Sequence, residues 1–252
     1  MVRMEPIDET VNPEAAATPP AKRISRRWPL ISGLSALALA LLLGALVVLR
    51  DPRNPVYIDT EWMDELVEHR TSFWQIPALV MNYLGGGIFA IFVIPVLVLA
   101  VLLILKRPWA ALFYLIATVA SAGVVQLLKN TFDRARPEQI LVTSDFGSFP
   151  SGHVANAATM ATVFIILFPR LWVWVAGLAY TVIMLLSRTY LGAHWLTDTV
   201  GGFLLGVGIA IVIWAPLAAR IDGERNIRAR HPSAATRRRV NAAQAEARDE
   251  TA

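Results

Sequence analysis

Cysteine is absent from the 252 residues, and charged residues make up only 17% of the chain. The lack of cysteine excludes disulfides and thiolate metal sites. A soluble domain usually carries about a quarter charged residues, so a water-soluble core is not expected. The sequence also contains no P-loop, no Rossmann glycine pattern and no internal repeat. Apolar residues, by contrast, form 56% of the chain.

These apolar residues are gathered into six runs, most of them close to the length of a membrane span. A helix needs roughly 20 apolar residues to cross a bilayer. The sequence predicts spans at residues 28–49, 76–105, 109–128, 154–168, 171–187 and 199–219. The first run is longer than a signal-peptide core of about 7–15 residues, so we interpret it as a transmembrane helix. The predicted fold is an all-α bundle of six transmembrane helices.

The polar segments divide the chain further. Residues 1–27 and 221–252 are polar, charged tails that we predict to be disordered, and residues 28–220 form the membrane domain. The acidic connector 51–70 is expected to be a solvated loop with a short amphipathic helix. We predict that the glycines of the apolar runs mark close helix packing: Gly85, Gly86, Gly87, Gly201, Gly202, Gly206 and Gly208.

The distribution of basic residues predicts the orientation. Both tails, the Lys106–Arg107 turn and the Arg170 turn fall on one side of six spans, and the acidic connector falls on the other. By the positive-inside rule, the basic side and both termini are cytoplasmic. The formal net charge of +4 could suggest a nucleic-acid partner, but basic residues beside apolar spans are more simply membrane anchors.

Three polar clusters interrupt the apolar runs. The first is Lys129 with Arg136–Pro137, the second is Pro150–Ser151–Gly152–His153, and the third contains Ser187–Arg188, His194 and Asp198. No span separates the first two clusters, and two spans separate the second from the third. All three are therefore predicted to lie at the same membrane face, on the extracytoplasmic side.

The residue types in these clusters suit phosphoryl chemistry. Lys129, Arg136 and Arg188 are cations that would repel one another without an anion between them, and a phosphoryl group would supply that anion. Ser151 and Gly152 precede a predicted helix, so their backbone N–H groups are expected to point at the same anion.

His194 and Asp198 lie one helical turn apart. We expect the Asp198 carboxylate to accept a hydrogen bond from one ring nitrogen of His194 and leave the other as a nucleophile. His153 is placed to protonate a leaving oxygen and then to activate water.

The order and spacing of the three clusters resemble the signature motifs of the type 2 phosphatidic acid phosphatase superfamily. Its members include lipid phosphate phosphatases, bacterial undecaprenyl-diphosphate phosphatases, soluble acid phosphatases and vanadium haloperoxidases. The resemblance implies a phosphohistidine on His194 oriented by Asp198, with His153 as the acid. It assigns phosphate binding to Lys129, Arg136, Ser151, Gly152 and Arg188, and it implies neither a metal nor another cofactor.

The predicted function is therefore an integral membrane lipid phosphatase whose partners are its lipid phosphate or polyprenyl diphosphate substrate and membrane lipids. A transporter or binding protein for anions or lipids would use the same cations but would not need the histidines. A vanadate-dependent haloperoxidase is disfavoured because those relatives are soluble. The sequence leaves the lipid open among undecaprenyl diphosphate, phosphatidic acid and phosphatidylglycerol phosphate.

Phe146, Phe149 and Trp195 are interpreted as an interfacial aromatic belt.

Overall fold

The structure, a computed structural model, describes residues 27–50 and 55–230. These residues form eight α-helices and one π-helical turn at Phe89–Val93. The helices are α1 (Arg27–Arg50), α2 (Tyr57–Glu68), α3 (Ser72–Gly85), α4 (Ile94–Ile104), α5 (Pro108–Phe132), α6 (Gly152–Leu167), α7 (Leu171–Tyr190) and α8 (Leu196–Arg230). The tails are predicted at residues 1–27 and 221–252, and of these, residues 1–26 and 231–252 lie outside the described residues, whereas Arg27 is the first residue of α1.

The helix lengths agree with the predicted spans in part. Helices α1, α5, α7 and α8 are each long and apolar enough to cross a membrane. The predicted span 154–168 is a helix of only 16 residues, α6. It is about 24 Å long, shorter than a hydrocarbon core of about 30 Å. By length and composition the described chain therefore has four spans, or five with the bent pair α3–α4.

The predicted second span is not one straight helix. Helix α3 ends at Gly85, and the chain resumes in the π-helical turn before α4, with a bend of 44° between the two parts. Gly87 lies in the break with φ +59°, a backbone conformation that glycine adopts without strain. The three consecutive glycines thus break the span as well as permitting close packing.

Helix α8 lies against both α1 and α6 because glycines remove side chains from its contact faces. A Cβ atom on Gly202 would lie 2.5 Å from the carbonyl oxygen of Ser151, and one on Gly206 would collide with the carbonyl of Ala155. On the other face, Gly208 and Gly33 of α1 bring the two backbones together. The prediction of close packing at the α8 glycines is confirmed.

Helix α8 also continues beyond residue 220, the predicted end of the membrane domain. The extension carries Glu224, whose carboxylate oxygens accept hydrogen bonds from the backbone N–H groups of Trp109 at 2.6 Å and Ala110 at 3.2 Å. Those N–H groups belong to the first turn of α5, which has no intrahelical acceptors for them. Arg220 lies over the Trp109 ring, 4.1 Å from its centroid. The expectation of disorder from residue 221 is therefore wrong as far as Arg230.

Candidate active site

The three predicted clusters meet at one end of the bundle. Lys129 is in the last turn of α5, His153 is in the first turn of α6, Arg188 is in the last turn of α7, and His194 precedes α8. The backbone N–H of Ser151 donates to the carbonyl of Asp198 at 3.0 Å, which joins the second cluster to the third. The segment between α5 and α6 is bonded to the end of α7, where the N–H of Leu141 donates to the carbonyl of Leu191 at 2.9 Å.

The imidazole of His194 is buried and fixed in one orientation. Its Nδ1 lies 2.8 Å from the carbonyl oxygen of Ser148. Because a carbonyl only accepts, Nδ1 carries the hydrogen and Nε2 keeps its lone pair. Nε2 faces the guanidinium of Arg136, with 3.5 Å between Nε2 and the nearest guanidinium nitrogen.

The surroundings of His194 keep its ring neutral. Burial lowers the pKa of His194 to about 4, and the charges of Arg136 and Arg188 act in the same direction. The nearby Asp198 carboxylate opposes these effects without overcoming them. At neutral pH the Nε2 lone pair is therefore available for nucleophilic attack.

Asp198 lies beside His194 but does not accept the predicted hydrogen bond from it. The separation of 3.6 Å between Nδ1 and Oδ2 exceeds a normal hydrogen bond. Instead Oδ2 accepts from the hydroxyl of Ser148 and from the backbone N–H of Trp195, the latter at 2.8 Å. The expected direct contact is replaced because Ser148 lies between the two residues, holding Asp198 with its hydroxyl and His194 with its carbonyl.

Two of the predicted phosphate ligands share a carboxylate that sequence reasoning missed. Asp145 Oδ1 lies 3.1 Å from Nζ of Lys129 and 2.7 Å from a guanidinium nitrogen of Arg136. Both cations also donate to the carbonyl of Gly147, at 2.9 and 2.8 Å. Burial tends to raise the pKa of Asp145, but the two cations outweigh it and hold that pKa below its usual value. The Asp145 carboxylate is therefore ionised, and it occupies a position between Lys129 and Arg136 that would attract a phosphate anion.

Helix α3 forms a wall on the other side of the cluster. Arg188 donates to the side-chain oxygen of Asn82, and the carbonyl of Asn82 lies 3.2 Å from Nε2 of His153. The Nε of Arg188 has no hydrogen-bond partner among the described residues. A Cβ atom on Gly86 would collide with the His153 ring. Arg188 and His153 are thus both positioned by the broken span.

Ser151 and Gly152 begin α6 as predicted, but the expected backbone contact is only partly available. The N–H of Ser151 is used by the carbonyl of Asp198. Its hydroxyl is buried and has no hydrogen-bond partner within the described chain. A Cβ atom on Gly152 would meet only a methyl group of Val125, at an ordinary 3.4 Å. The Ser151 hydroxyl, rather than its N–H, is therefore the group available to an anion.

The aromatic residues around the motifs do not form one belt. Phe149 is fully buried in a slot formed by Gly44 of α1 and Gly201 of α8. Trp195 donates from its indole N–H to the carbonyl of Ala135 at 2.9 Å. Only Phe146 is exposed. The interpretation of Phe149 as an interfacial residue is wrong because the helix glycines provide a site for its ring.

One carboxylate of the acidic connector is likewise buried. Asp59 of α2 is 0% exposed and lies 2.6 Å from a guanidinium nitrogen of Arg134. The expectation that every acidic residue of this connector is solvated is wrong for Asp59. Sequence reasoning also missed Arg134, although it stands two positions before Arg136. Asn82 offered a signal, being a polar residue within an apolar run.

An apolar cavity of about 530 Å³ opens between the broken span, α6 and α7. Leu84, which lines it, adjoins Gly85, where an added Cβ atom would lie 3.0 Å from the His153 ring. The other lining residues are Ile94, Met160, Ala161, Phe164, Phe168, Trp172, Val173, Ala176, Gly177 and Tyr180.

No group of three or more metal-ligating side chains is found within residues 27–50 and 55–230.

Comparison with known proteins places the chain in a family. Residues 107–222 match the model of the PAP2 superfamily. Phosphatidylglycerophosphatase B of Bacillus subtilis is 32% identical over 167 residues, covering 60% of this chain and 74% of that protein. An undecaprenyl-diphosphatase of Sulfolobus acidocaldarius is 37% identical over 65 residues, covering 26% of this chain and 31% of the archaeal protein.

A solved structure supports the same assignment. The crystal structure of a transmembrane PAP2-type phosphatidylglycerolphosphate phosphatase from Bacillus subtilis superimposes with a TM-score of 0.62 at 25% identity. The match covers 72% of this chain and 94% of that one. The helices, the site geometry and these matches together show that the chain is an all-α, multi-pass membrane protein belonging to the PAP2 superfamily.

Proposed function

We propose that this chain is a membrane lipid phosphatase that removes a terminal phosphate from a lipid phosphate or polyprenyl diphosphate through a phosphohistidine on His194. The observation that carries the proposal is the fixed tautomer of His194. Its Nδ1–H is held by Ser148, and its Nε2 lone pair faces Arg136. The relatives named above include a phosphatidylglycerophosphatase and an undecaprenyl-diphosphatase, and the same substrate classes are proposed for this chain.

In the first step, Nε2 of His194 attacks phosphorus and the bond from phosphorus to the leaving oxygen breaks. Lys129, Arg136 and Arg188 stabilise the charge on the transferring group, which supports a metal-independent reaction. The Ser151 hydroxyl and the Gly152 backbone supply further contacts to its oxygens.

His153 moves the proton in both steps. The Nε2–H of His153 is held by the Asn82 carbonyl, so the acid is the ring protonated at both nitrogens, and it gives the Nδ1 proton to the leaving lipid oxygen and becomes neutral. In the second step Nδ1 takes a proton from water, whose oxygen attacks the phosphohistidine. The bond between nitrogen and phosphorus breaks, inorganic phosphate leaves, and His194 is regenerated.

The decisive test measures phosphate release by detergent-purified protein in EDTA. The lipids are undecaprenyl diphosphate, phosphatidic acid and phosphatidylglycerol phosphate. We expect release to persist in EDTA, to vanish in His194→Ala, and to remain in His69→Ala, whose imidazole is exposed at the end of α2. Acid-labile, base-stable phosphate on the denatured protein would identify the phosphohistidine. Release that survives His194→Ala would refute the mechanism.

The apolar cavity is the proposed site for the hydrocarbon part of the substrate. Its lining begins at Leu84, next to the glycines beside His153. It continues along α6 and α7 toward Phe168 and Trp172, at the helix ends opposite the site. Ala176→Phe adds a ring at the cavity, whereas Ala179→Phe adds the same ring to the same helix outside its lining. We expect only Ala176→Phe to raise KM for long-chain lipids, and neither variant to change hydrolysis of a short-chain soluble phosphate ester. Equal effects of both variants on KM would show that the cavity does not bind the hydrocarbon part of the substrate.

We further propose that the chain crosses the membrane six times, with the site on the extracytoplasmic side and both termini in the cytoplasm. The basic turns at Lys106–Arg107 and Arg170 lie at the helix ends opposite the site, which favours this orientation. The natural absence of cysteine permits a direct test. In intact cells a membrane-impermeant maleimide should label Thr143→Cys, and it should label Arg170→Cys only after permeabilisation. The reverse pattern would contradict the orientation.

A further inference from the structure

The strongest feature outside the predicted motifs is the buried ion pair of Asp59 and Arg134. Their exposed fractions are 0% and 2%, and they lie 75 residues apart in sequence. Burying two charges is unfavourable unless each has several hydrogen-bond partners. The remaining contacts of this pair therefore show what the pair holds in place.

Asp59 holds the start of α8. Its Oδ1 accepts from the backbone N–H of Thr197 at 2.9 Å, and its Oδ2 accepts from the Thr197 hydroxyl at 2.8 Å. Arg134 donates to the same hydroxyl at 2.8 Å. Thr197 directly precedes Asp198, so a residue of the loop helix α2 fixes the backbone beside the site carboxylate.

Arg134 holds two residues around His194 at once. Its guanidinium donates to Oδ1 of Asp198, and its backbone carbonyl accepts from the N–H of Ser148 at 2.8 Å. Ser148 is the residue whose carbonyl fixes the tautomer of His194 and whose hydroxyl bonds Asp198. The contacts that orient the imidazole therefore lead back to Arg134, and through Arg134 to Asp59.

We propose that Asp59 and Arg134 are positioning residues for the nucleophile. This proposal rests on the role of His194 proposed above. Asp59 fixes Arg134 by a charge-assisted bond, and Arg134 sets the positions of Asp198 and Ser148. Within the described chain, neither residue bonds any of the three proposed phosphate-binding cations. Loss of either is expected to misplace the His194 ring while leaving the affinity for phosphate intact.

The test compares Asp59→Asn with Asp64→Asn, a matched change of an exposed carboxylate on the same helix. The amide introduced by Asp59→Asn retains an oxygen for Thr197 but removes the negative charge that Arg134 faces. We expect kcat per folded enzyme to fall roughly 10- to 100-fold, the scale on which misplaced reacting groups slow a reaction. Inhibition by inorganic phosphate should not change, and Asp64→Asn should behave as wild type. A second variant, Arg134→Lys, keeps the charge but cannot bond both carboxylates, and it should also lower kcat.

A double-mutant cycle distinguishes positioning from a purely structural role. If Asp59 acts through Asp198, Asp59→Asn should cost little further activity in an Asp198→Asn background. The proposal would be overturned if the activity losses of Asp59→Asn and Asp198→Asn were additive in the double variant. It would also be overturned if the loss of kcat in Asp59→Asn were fully explained by a smaller folded fraction, measured by thermal melting. Wild-type kcat in both Asp59→Asn and Arg134→Lys would do the same. His194→Ala separates the two claims, because an inactive His194→Ala with a normal Asp59→Asn rejects this inference alone.

Discussion

The two ends of the helical bundle use charged residues differently. At the end opposite the site, charges satisfy backbone groups: Glu224 caps α5, and Arg225 donates to the carbonyl of Ile166 at 2.8 Å. At the site end, three of the buried charges bond to one another. Asp59, Arg134 and Asp198 form one buried chain. Glu224 and Arg225 thus each bond the backbone at one helix end, whereas a change in the site-end chain affects its neighbours.

The largest contrast between the ends is expected for arginine-to-lysine changes. Arg188 uses one arm of its planar fork on Asn82, so lysine cannot keep that contact and also reach an anion. Arg188→Lys should lower kcat/KM by about 10²- to 10³-fold, the loss typical of one transition-state donor. Arg225→Lys should leave kcat/KM unchanged. Steady-state kinetics on the preferred lipid measures both values. Near-normal turnover of Arg188→Lys would mean that Arg188 only anchors its helix at the membrane interface.

A methyl group at the break between α3 and α4 should have the next largest effect. Gly86→Ala places its Cβ atom in the His153 ring, so His153 or the break must shift. We expect kcat to fall roughly 10- to 100-fold, as for other displaced reacting groups. Gly123→Ala in α5, whose Cβ meets nothing within 4 Å, is the matched control. Equal activities of the two variants would show that His153 tolerates the displacement.

The pH dependence tests whether the site end stabilises the neutral form of His194. Burial lowers the pKa of His194 to about 4. The lone pair is lost only when the ring gains a proton, so the acidic limb of kcat/KM should fall as pH drops through about 4. An exposed imidazole would lose activity near a pH of about 6.5. A pH–rate profile with a limb at that higher pH, remaining in the His153 variants, would contradict the burial argument.

A smaller effect is expected from the carboxylate shared by Lys129 and Arg136. Asp145 is 57% exposed, so its ion pairs contribute only modestly. Asp145→Asn should free both cations and lower the inhibition constant for inorganic phosphate by about 2- to 5-fold. Glu138→Gln, an exposed carboxylate change in the same segment, should not alter inhibition. Weaker inhibition in Asp145→Asn would mean that Asp145 orders the cations rather than competing with phosphate.

The far end should affect stability without affecting catalysis. Glu224→Ala removes the acceptor for two N–H groups of α5 and should lower the free energy of unfolding by about 1 kcal/mol. kcat and KM should not change, and Asp222→Ala, a change of a neighbouring carboxylate on the same helix, should alter neither quantity. Thermal melting in detergent combined with kinetics measures this. A loss of kcat in Glu224→Ala would show that the ends are coupled.

The sequence predicted those features that depend on local patterns. Apolar runs located every long helix, and topology alone required Lys129, His153 and His194 to lie at the same face. The run 154–168 corresponds to α6, which begins two residues earlier, at Gly152, because the polar Gly152 and His153 belong to its first turn and not to the apolar run. The direct bond between His194 and Asp198 was predicted from spacing alone, which carries no information about Ser148 between them.

The features that the sequence did not reveal depend on distant partners. Asp59 stands among five other acidic residues of the connector 51–70, and nothing in the local sequence distinguishes it from them. Its burial follows from Arg134, 75 positions later. Arg220 and Glu224 lay at the boundary of a segment interpreted as a tail, because their partner Trp109 is on another helix.

The family match begins at residue 107, yet the broken span and α2 both precede it. A fragment starting at that residue would contain all three motifs. It would lack Asp59 for Arg134 and Asn82 for Arg188 and His153. The contacts that hold these residues of the motif region therefore depend on the N-terminal part of the chain. Any chimera that transplants residues 107–222 behind a foreign N-terminal half must also provide a carboxylate and an amide at these two positions.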